Sequence, residues 1–377
     1  MKSIPFSAPD IQEADLELVL NVIRSGWLTH GEYSTKLESL FCEITGAKYS
    51  ATVANCTAGL HLSCMAAGIG PGDEVIVPAQ THTATAHAVE HAGAKAIFCD
   101  TSPLTGNIKI DEIEANISTS TKALIPVHMA GLACEMDDIN DICEKYDLIL
   151  IEDCAHALGT TFNGKHVGKF GLSGCFSFYP TKQITTGEGG MVISDHQETI
   201  EKVRRYKAFG INTPPELRTK PGIYDVQDLG YNYRMTDFQA ALGVGQLERY
   251  PANLHQRRKN ARTYAELLKG EDAISYPVYS DQHSYFLFQI ILDQRIDRDR
   301  VLLGMKDHGI GVSIHYATPV PMMSYYKNKY SLSPISYPNA VDYGRQSISL
   351  PVHQMLSEQD IEYVCNVLTQ LVGGSQL

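Results

Sequence analysis

The sequence predicts an α/β protein: a mostly parallel sheet covered by helices on both faces, followed by a smaller C-terminal α/β portion. Two observations carry this. Short, nearly continuous apolar runs recur between residues 49 and 153, and most are separated by stretches with helical character. Beyond residue 250 the alternation resumes on a smaller scale. Apolar runs without a polar alternate face belong to strands buried on both sides, and alternating strands and helices place them in a parallel sheet.

Asp10 and Glu13 have capping-box spacing and Gly26 is a stop, which predicts a first helix after Asp10. A second helix is expected over 33–45. The strands are expected at YSATVA (49–54), EVIVP (74–78), KAIFCD (95–100), KALIPV (122–127) and LILIED (148–153), with helices over 57–67, 83–91 and 136–146. Asn163-Gly164 signals a tight turn. From Phe209 to Asn232 the pattern is irregular and rich in Gly and Pro. A helix is expected over 237–269, then a strand at YFLFQIIL (285–292), a helix over 297–308, a strand at GVSIHY (311–316) and a last helix near 357–371. The domain boundary is expected near residue 250, giving a large domain of 1–250 and a smaller one of 251–377.

The 377 residues carry a net charge of −12. That balance argues against general nucleic-acid binding, which needs clustered Lys and Arg, but leaves room for a small phosphorylated ligand. The nine cysteines form no C-x-x-C pair and read as reduced, buried thiols. The opening MKSIPFSAPD has no apolar region of a secretory signal, and no apolar run is long enough for a bilayer. A cytoplasmic protein with no membrane contact is expected.

The segment SFYPTKQITTGEGG (177–190) holds a single lysine, Lys182, among hydroxyls, glycines and a proline. Pro180, Gly187, Gly189 and Gly190 oppose a long helix, so Lys182 is expected on a tight connection between two strands. Asp153 closes the run LILIED, at the carboxyl end of a strand, where ligands of open α/β sheets gather. Alone it reads as a helix cap. Together, an amine able to form a Schiff base and an acidic partner for a ring nitrogen suggest pyridoxal phosphate. The phosphate is expected at NCTAGLHL (55–62), where Thr57, Ala58 and Gly59 would present backbone N–H groups at a helix N-terminus, with Ser177 adding a hydroxyl.

These motifs, with SGWLTHG (25–31), GPGDEVIVP (70–78), IEDCAHALG (151–159), FSFYPTKQITTGEGGMV (176–192), LGYNYRMTDFQAALGVGQLER (229–249) and HYATPVP (315–321), resemble the DegT/DnrJ/EryC1/StrS family of sugar aminotransferases. The resemblance implies a fold-type I pyridoxal-phosphate-dependent transferase, its large domain built on a mostly parallel sheet of the seven-stranded type. It implies Lys182 as the Schiff-base lysine and proton shuttle, Asp153 as partner of the pyridine nitrogen, and Thr57, Ala58 and Ser177 as phosphate contacts. It implies that Asn232 reaches the cofactor of the other subunit of a homodimer. Two positions depart from the commoner pattern. His82 stands where an aromatic residue often stacks on the pyridine ring, and His156 where Gln often lies beside the phenolic oxygen. The implied reaction moves an amino group from L-glutamate to a keto sugar, a nucleotide-linked 4-keto-6-deoxy hexose, in amino-sugar or surface-polysaccharide synthesis.

Other readings weigh less. HAVEH (87–91) fits the zinc pattern H-x-x-E-H, a cheap match in a chain with 14 histidines, so no metal is expected. GIGPG (68–72) precedes a strand and reads as a turn, and KVRRYK (202–207) as a solvated helix face. A regulator that kept fold and cofactor is the competing class. The retained Lys182 opposes it, and also opposes a dehydratase, since relatives of that kind replace the lysine with histidine.

Overall fold

The computed structural model describes residues 3–211, 220 and 222–374. In chain order the elements are α1 (Glu13–Ser25), α2 (Glu32–Thr45), β1 (Tyr49–Val53), α3 (Cys56–Ala66), β2 (Glu74–Pro78), α4 (Thr83–His91), β3 (Lys95–Cys99), α5 (Ile110–Ile113), β4 (Thr121–Leu124), α6 (Met136–Tyr146), β5 (Ile149–Asp153), β6 (Thr161–Phe162), β7 (Lys165–His166), β8 (Ser173–Ser177) and β9 (Gly190–Ser194). They continue with α7 (Gln197–Tyr206), α8 (Asp237–Leu267), β10 (Ile274–Ser275), β11 (Phe288–Leu292), α9 (Arg298–Asp307), α10 (Ser324–Tyr330), α11 (Pro338–Gln346), β12 (Ser347–Leu350) and α12 (Glu358–Gly373).

Seven strands form the main sheet in the order β1-β9-β8-β5-β4-β2-β3. Only β9 runs against the rest, pairing antiparallel with both β1 and β8. The carboxyl ends of β1, β2, β5 and β8 therefore share one edge. Helices α3 and α4 cover one face, burying Leu60, Leu62 and Val89 against Val53, Val75 and Val77. On the other face Leu37, Phe41, Val244, Leu247 and Tyr250 close over Phe176, Met191 and Ile193. Helix α3 is buried nearly all round, as a helix wedged between sheet and surface helices must be.

The strand β10-β11-β12 sheet is antiparallel and has its own core. That core gathers Ala261, Tyr264, Phe288, Ile290, Val301, Ile348, Val364 and Leu368, and it also holds Ile4, which bridges to Ile310. Helix α8 runs through both cores with Pro251 inside it. A division near residue 250 is proposed on the strength of this second core.

Several expectations need correction. The capping box of α1 uses Gln12 and Asp15, whose carboxylate accepts from the Gln12 N–H at 2.9 Å, not Asp10 and Glu13. The strand expected at 285–292 begins at Phe288, because Tyr285 has φ 48° and cannot continue an extended chain. Residues 311–316 form no strand. Ser313 makes one isolated bridge to Ser349, and β12, too short and serine-rich to stand out, takes the place beside β11. The Asn163-Gly164 turn is present, with φ of 49° and 79° joining β6 to β7. Of the irregular stretch expected from Phe209 to Asn232, residues 212–219 and 221 lie outside the described residues.

Candidate active site

Asp153 ends β5 at the shared carboxyl edge and is 4% exposed. One carboxylate oxygen accepts from the Thr85 hydroxyl at 2.8 Å and the other from the Ala155 N–H at 3.0 Å. Burial pushes the carboxyl above its usual value, against the pull of the Ala155 N–H, Thr85, Lys182 and His82. A buried carboxylate held by two neutral donors favours a cation facing it.

Lys182 lies on the connection 178–189 between β8 and β9. The connection is longer than the tight turn expected, and it is folded by its own bonds. Phe178 O accepts from the Thr186 N–H and Thr185 hydroxyl at 3.0 Å, while the Lys182 N–H donates to Tyr179 O at 2.9 Å. Gln183, the next residue, is buried and donates to His156 O and Ser284 Oγ, both at 3.1 Å. The Lys182 Nζ finds no hydrogen-bond acceptor among the described residues and rests over the Phe286 ring, 4.2 Å from its centre. Burial brings the amine down to about 8, while Cys56 and Asp153 pull the other way.

The N-terminus of α3 faces the same edge. Asn55 caps it, accepting from the Ala58 N–H at 2.8 Å, and Asn55 O takes the Gly59 N–H at 3.1 Å. Those two amides, expected to face a phosphate, are thus already used. The Cys56 and Thr57 amides, at the orphan positions of the first turn, have no protein partner among the described residues. Ser177 ends β8 half-buried, and its Oγ accepts from the Tyr179 N–H at 3.4 Å.

His82 is the N-cap of α4, its Nδ1 accepting from the Ala84 N–H at 3.2 Å. Its ring meets Tyr316 edge-on with centres 5.6 Å apart. His156 is 3% exposed, stacks on Phe286 at 4.4 Å and lies 3.2 Å from the Tyr316 hydroxyl. Its Nδ1 accepts from the Ala130 N–H at 3.3 Å, and burial holds the ring neutral, so Nε2 carries the proton. His315 is driven to about 3, first by burial and then by Lys182.

Lys182, Asp153, His82 and His156 thus converge, with the start of α3 and Ser177 beside them. Asn232 does not join them: it is exposed and bridges to Ala208. Tyr316, Phe286, His315, Thr85 and Cys56 are site residues that sequence reasoning missed. Tyr316 and His315 lay in the quoted stretch HYATPVP, whereas Phe286 sat inside an apolar run with no distinguishing signal.

The competing motifs have other roles. His87 pairs with the Tyr326 hydroxyl at 2.5 Å, and Glu90 bonds Lys329 and Tyr330. GIGPG is a turn, with the Asp73 N–H donating to Gly70 O at 3.1 Å. KVRRYK is a solvated face in part, with Arg204 exposed and Lys202 half-buried, but it also makes specific pairs and buries Lys207. Arg204 pairs with Glu38 at 2.9 Å, Arg205 with Asp228 at 2.6 Å, and the buried Lys207 Nζ donates to Thr52 O at 2.6 Å. Among the described residues no helix is long and apolar enough to cross a membrane.

The model of the DegT/DnrJ/EryC1/StrS aminotransferase family matches residues 9–369. The spore coat polysaccharide biosynthesis protein SpsC of Bacillus subtilis is 34% identical over 381 residues, covering 99% of this chain and 98% of its own. The putative sugar aminotransferase Spr1654 of Streptococcus pneumoniae, in its PMP form, superposes with a TM-score of 0.93 at 29% identity, over 99% of this chain and 98% of that one. Its PLP form gives a TM-score of 0.92. Helicobacter pylori PseC, an aminotransferase involved in the biosynthesis of pseudoaminic acid, gives 0.92 at 28% identity, over 99% and 100% of the two chains.

Proposed function

The chain belongs to the DegT/DnrJ/EryC1/StrS aminotransferase family of pyridoxal-phosphate-dependent enzymes, and from that premise we propose the reaction and the residues that carry it out. The amino donor is an amino acid, L-glutamate. The acceptor is a keto sugar, most simply a nucleotide-linked 4-keto-6-deoxy hexose, and the product enters amino-sugar or surface-polysaccharide synthesis. The names of SpsC and PseC support that setting. The protein works in the cytoplasm as a homodimer with its sites at the subunit interface.

The observation that carries the reading is the convergence of Lys182 and Asp153 beside the start of α3. The residues fit the cofactor. Among the described residues the Lys182 amine has no hydrogen-bond acceptor and the buried Asp153 carboxylate has only neutral hydrogen-bond donors, and the Cys56 and Thr57 amides with the Ser177 hydroxyl are donors suited to a phosphate. When bound, pyridoxal phosphate supplies a protonated ring that accepts the electrons left as a proton leaves the donor's α-carbon. Asp153, oriented by Thr85 and Ala155, holds the proton on the ring nitrogen. Lys182, brought to about 8, is neutral in roughly one molecule in ten near pH 7 and takes the α-carbon proton. With the cofactor bound, the His156 Nε2–H, which faces the Tyr316 hydroxyl at 3.2 Å, would be offered to the phenolic oxygen, and His82 would lie against the ring. Thr57 and Ser177 would hold the phosphate, with Ala58 beside it although its N–H is taken by Asn55, and Asn232 would reach it from the partner subunit.

The test is spectroscopic. L-glutamate alone is expected to bleach the visible band of the bound cofactor and release one 2-oxoglutarate per site. The keto sugar then restores the band and leaves as an amino sugar, with ping-pong kinetics. A spectrum unmoved by glutamate and other amino donors overturns the reaction. Bleaching that no keto sugar reverses overturns the acceptor class alone.

A further inference from the structure

We propose that Phe286 is a positioning residue for Lys182: the face of its ring is the resting place of the free lysine amine, presented there by the segment that leads into β11. The proposal rests on Lys182 being the reactive amine and is independent of which sugar is used. Four observations carry it.

The Lys182 Nζ lies 4.2 Å from the centre of the Phe286 ring and has no hydrogen-bond acceptor among the described residues. Among the described residues the ring's π face is its one directional partner. Phe286 is 4% exposed and cannot swing aside, because its ring is stacked on His156 at 4.4 Å. Its backbone is pinned as well. The Ser284 N–H donates to Gly131 O at 3.1 Å and the Leu287 N–H to Ala130 O at 3.2 Å. This approach requires glycine at 131, where φ is 93° and a Cβ would sit 2.4 Å from Ser284 Oγ and 3.2 Å from the Phe286 nitrogen. Finally, Ser284 Oγ bonds Gln183 at 3.1 Å and Thr160 at 2.8 Å. The segment that positions the ring therefore also grips the residue next to Lys182.

A cation over an aromatic face is favoured over its neutral form by the ring quadrupole, more so where water is excluded. Phe286 thus opposes burial. It keeps a usable protonated fraction on an amine that must hold a proton and then release it, and it keeps that amine in one place. The groups facing Lys182 from the neighbouring elements are Asp153 on β5, Cys56 on α3, His82 at α4, His156 and His315. Cys56, Asp153 and the ring face favour the charged amine, and burial opposes it.

The test measures the Lys182 amine itself. The full-length chain, stripped of cofactor and again reloaded with pyridoxamine phosphate, is labelled with acetic anhydride across pH. Modification at Lys182 is read by peptide mass spectrometry. Phe286→Leu, which keeps an apolar side chain without a π face, is expected to lower the labelling midpoint by about half to one pH unit. Phe286→Tyr is expected to keep the wild-type midpoint. Pentafluorophenylalanine at position 286 preserves shape and reverses the quadrupole, so it covers the case in which Leu misfolds. It is expected to lower the midpoint at least as far as Leu does. An unchanged or raised midpoint with the fluorinated ring overturns the proposal. Borohydride reduction of the wild-type holoenzyme followed by peptide mapping separately checks that Lys182 bears the cofactor, so the two failures are distinguishable.

Discussion

At the scale of single residues, the site is a set of groups held in disfavoured states. Asp153→Asn preserves shape but removes the charge proposed to keep the ring nitrogen protonated. A loss of about two orders of magnitude in the rate of proton abstraction is expected, roughly 3 kcal/mol in barrier, read by single-turnover bleaching with glutamate. Lys182 bears on stability too. Its folded value of about 8 lies below the ordinary 10.5, so between these values the unfolded chain holds the proton and the folded one does not. The native state is therefore penalised below pH 8, and the penalty fades as pH rises from about 8 to 10.5. Cofactor-free Lys182→Met is expected to melt higher than wild type at pH 7, with the gap narrowing by pH 9.5. Equal melting temperatures at both values would show that burying the amine has no cost. That Lys182 and Asp153 share one edge was legible in the sequence because Lys182 is the single lysine of a constrained connection and Asp153 closes an apolar strand run, the two pointing to one cofactor together. Phe286 and Tyr316 were not. A phenyl ring in an apolar run looks like any core residue until tertiary packing sets it over an amine, and the cap role of His82 depends on where α4 begins.

At the scale of elements, close approaches decide function. Gly190 opens β9 directly under the start of α3. A Cβ there would lie 2.7 Å from the Asn55 carbonyl carbon and from Phe176 O, and 2.8 Å from the Cys56 nitrogen. All three are backbone atoms, so Gly190→Ala must shift the α3 N-terminus. Cofactor affinity is expected to fall at least about tenfold, by fluorescence titration, with helix content unchanged. Between α1 and α8, Arg249 grips Asp15 with two bonds, 3.0 and 2.6 Å, and Asp15 is fully buried. Arg249→Met leaves that carboxylate only the Gln12 N–H among the described residues and is expected to cost about 1 to 3 kcal/mol in urea unfolding. The sheet and most helices were legible because buried parallel strands are written as apolar runs; β2 and α4 begin and end where expected. The second unit was harder. Its β12 is four residues long with alternating serines, and its neighbour β11 starts late because of a backbone twist at Tyr285 that no side chain announces.

At the scale of the whole molecule, the proposed dimer follows from Asn232 standing apart from the site of its own chain. It is exposed on a stretch beside exposed Phe209, Val226 and Leu229. If the partner supplies it, mixed dimers of Lys182→Ala and Asn232→Ala chains carry both lesions in one site and none in the other. About half of native activity is expected from such heterodimers, and far less from either homodimer. Heterodimers no better than the homodimers would mean that each chain works alone. The Ile4–Ile310 bridge has a consequence of another kind, for synthesis on the ribosome. Ile4 is made before the sheet unit, yet its neighbours in the second core run to Val372. The sheet unit can close while the chain is still growing, but the segment around Ile4 must wait for its core partners in β11, α9 and α12 to emerge. Stalled chains ending before α12 should therefore resist protease within the sheet unit and be cut around Ile4.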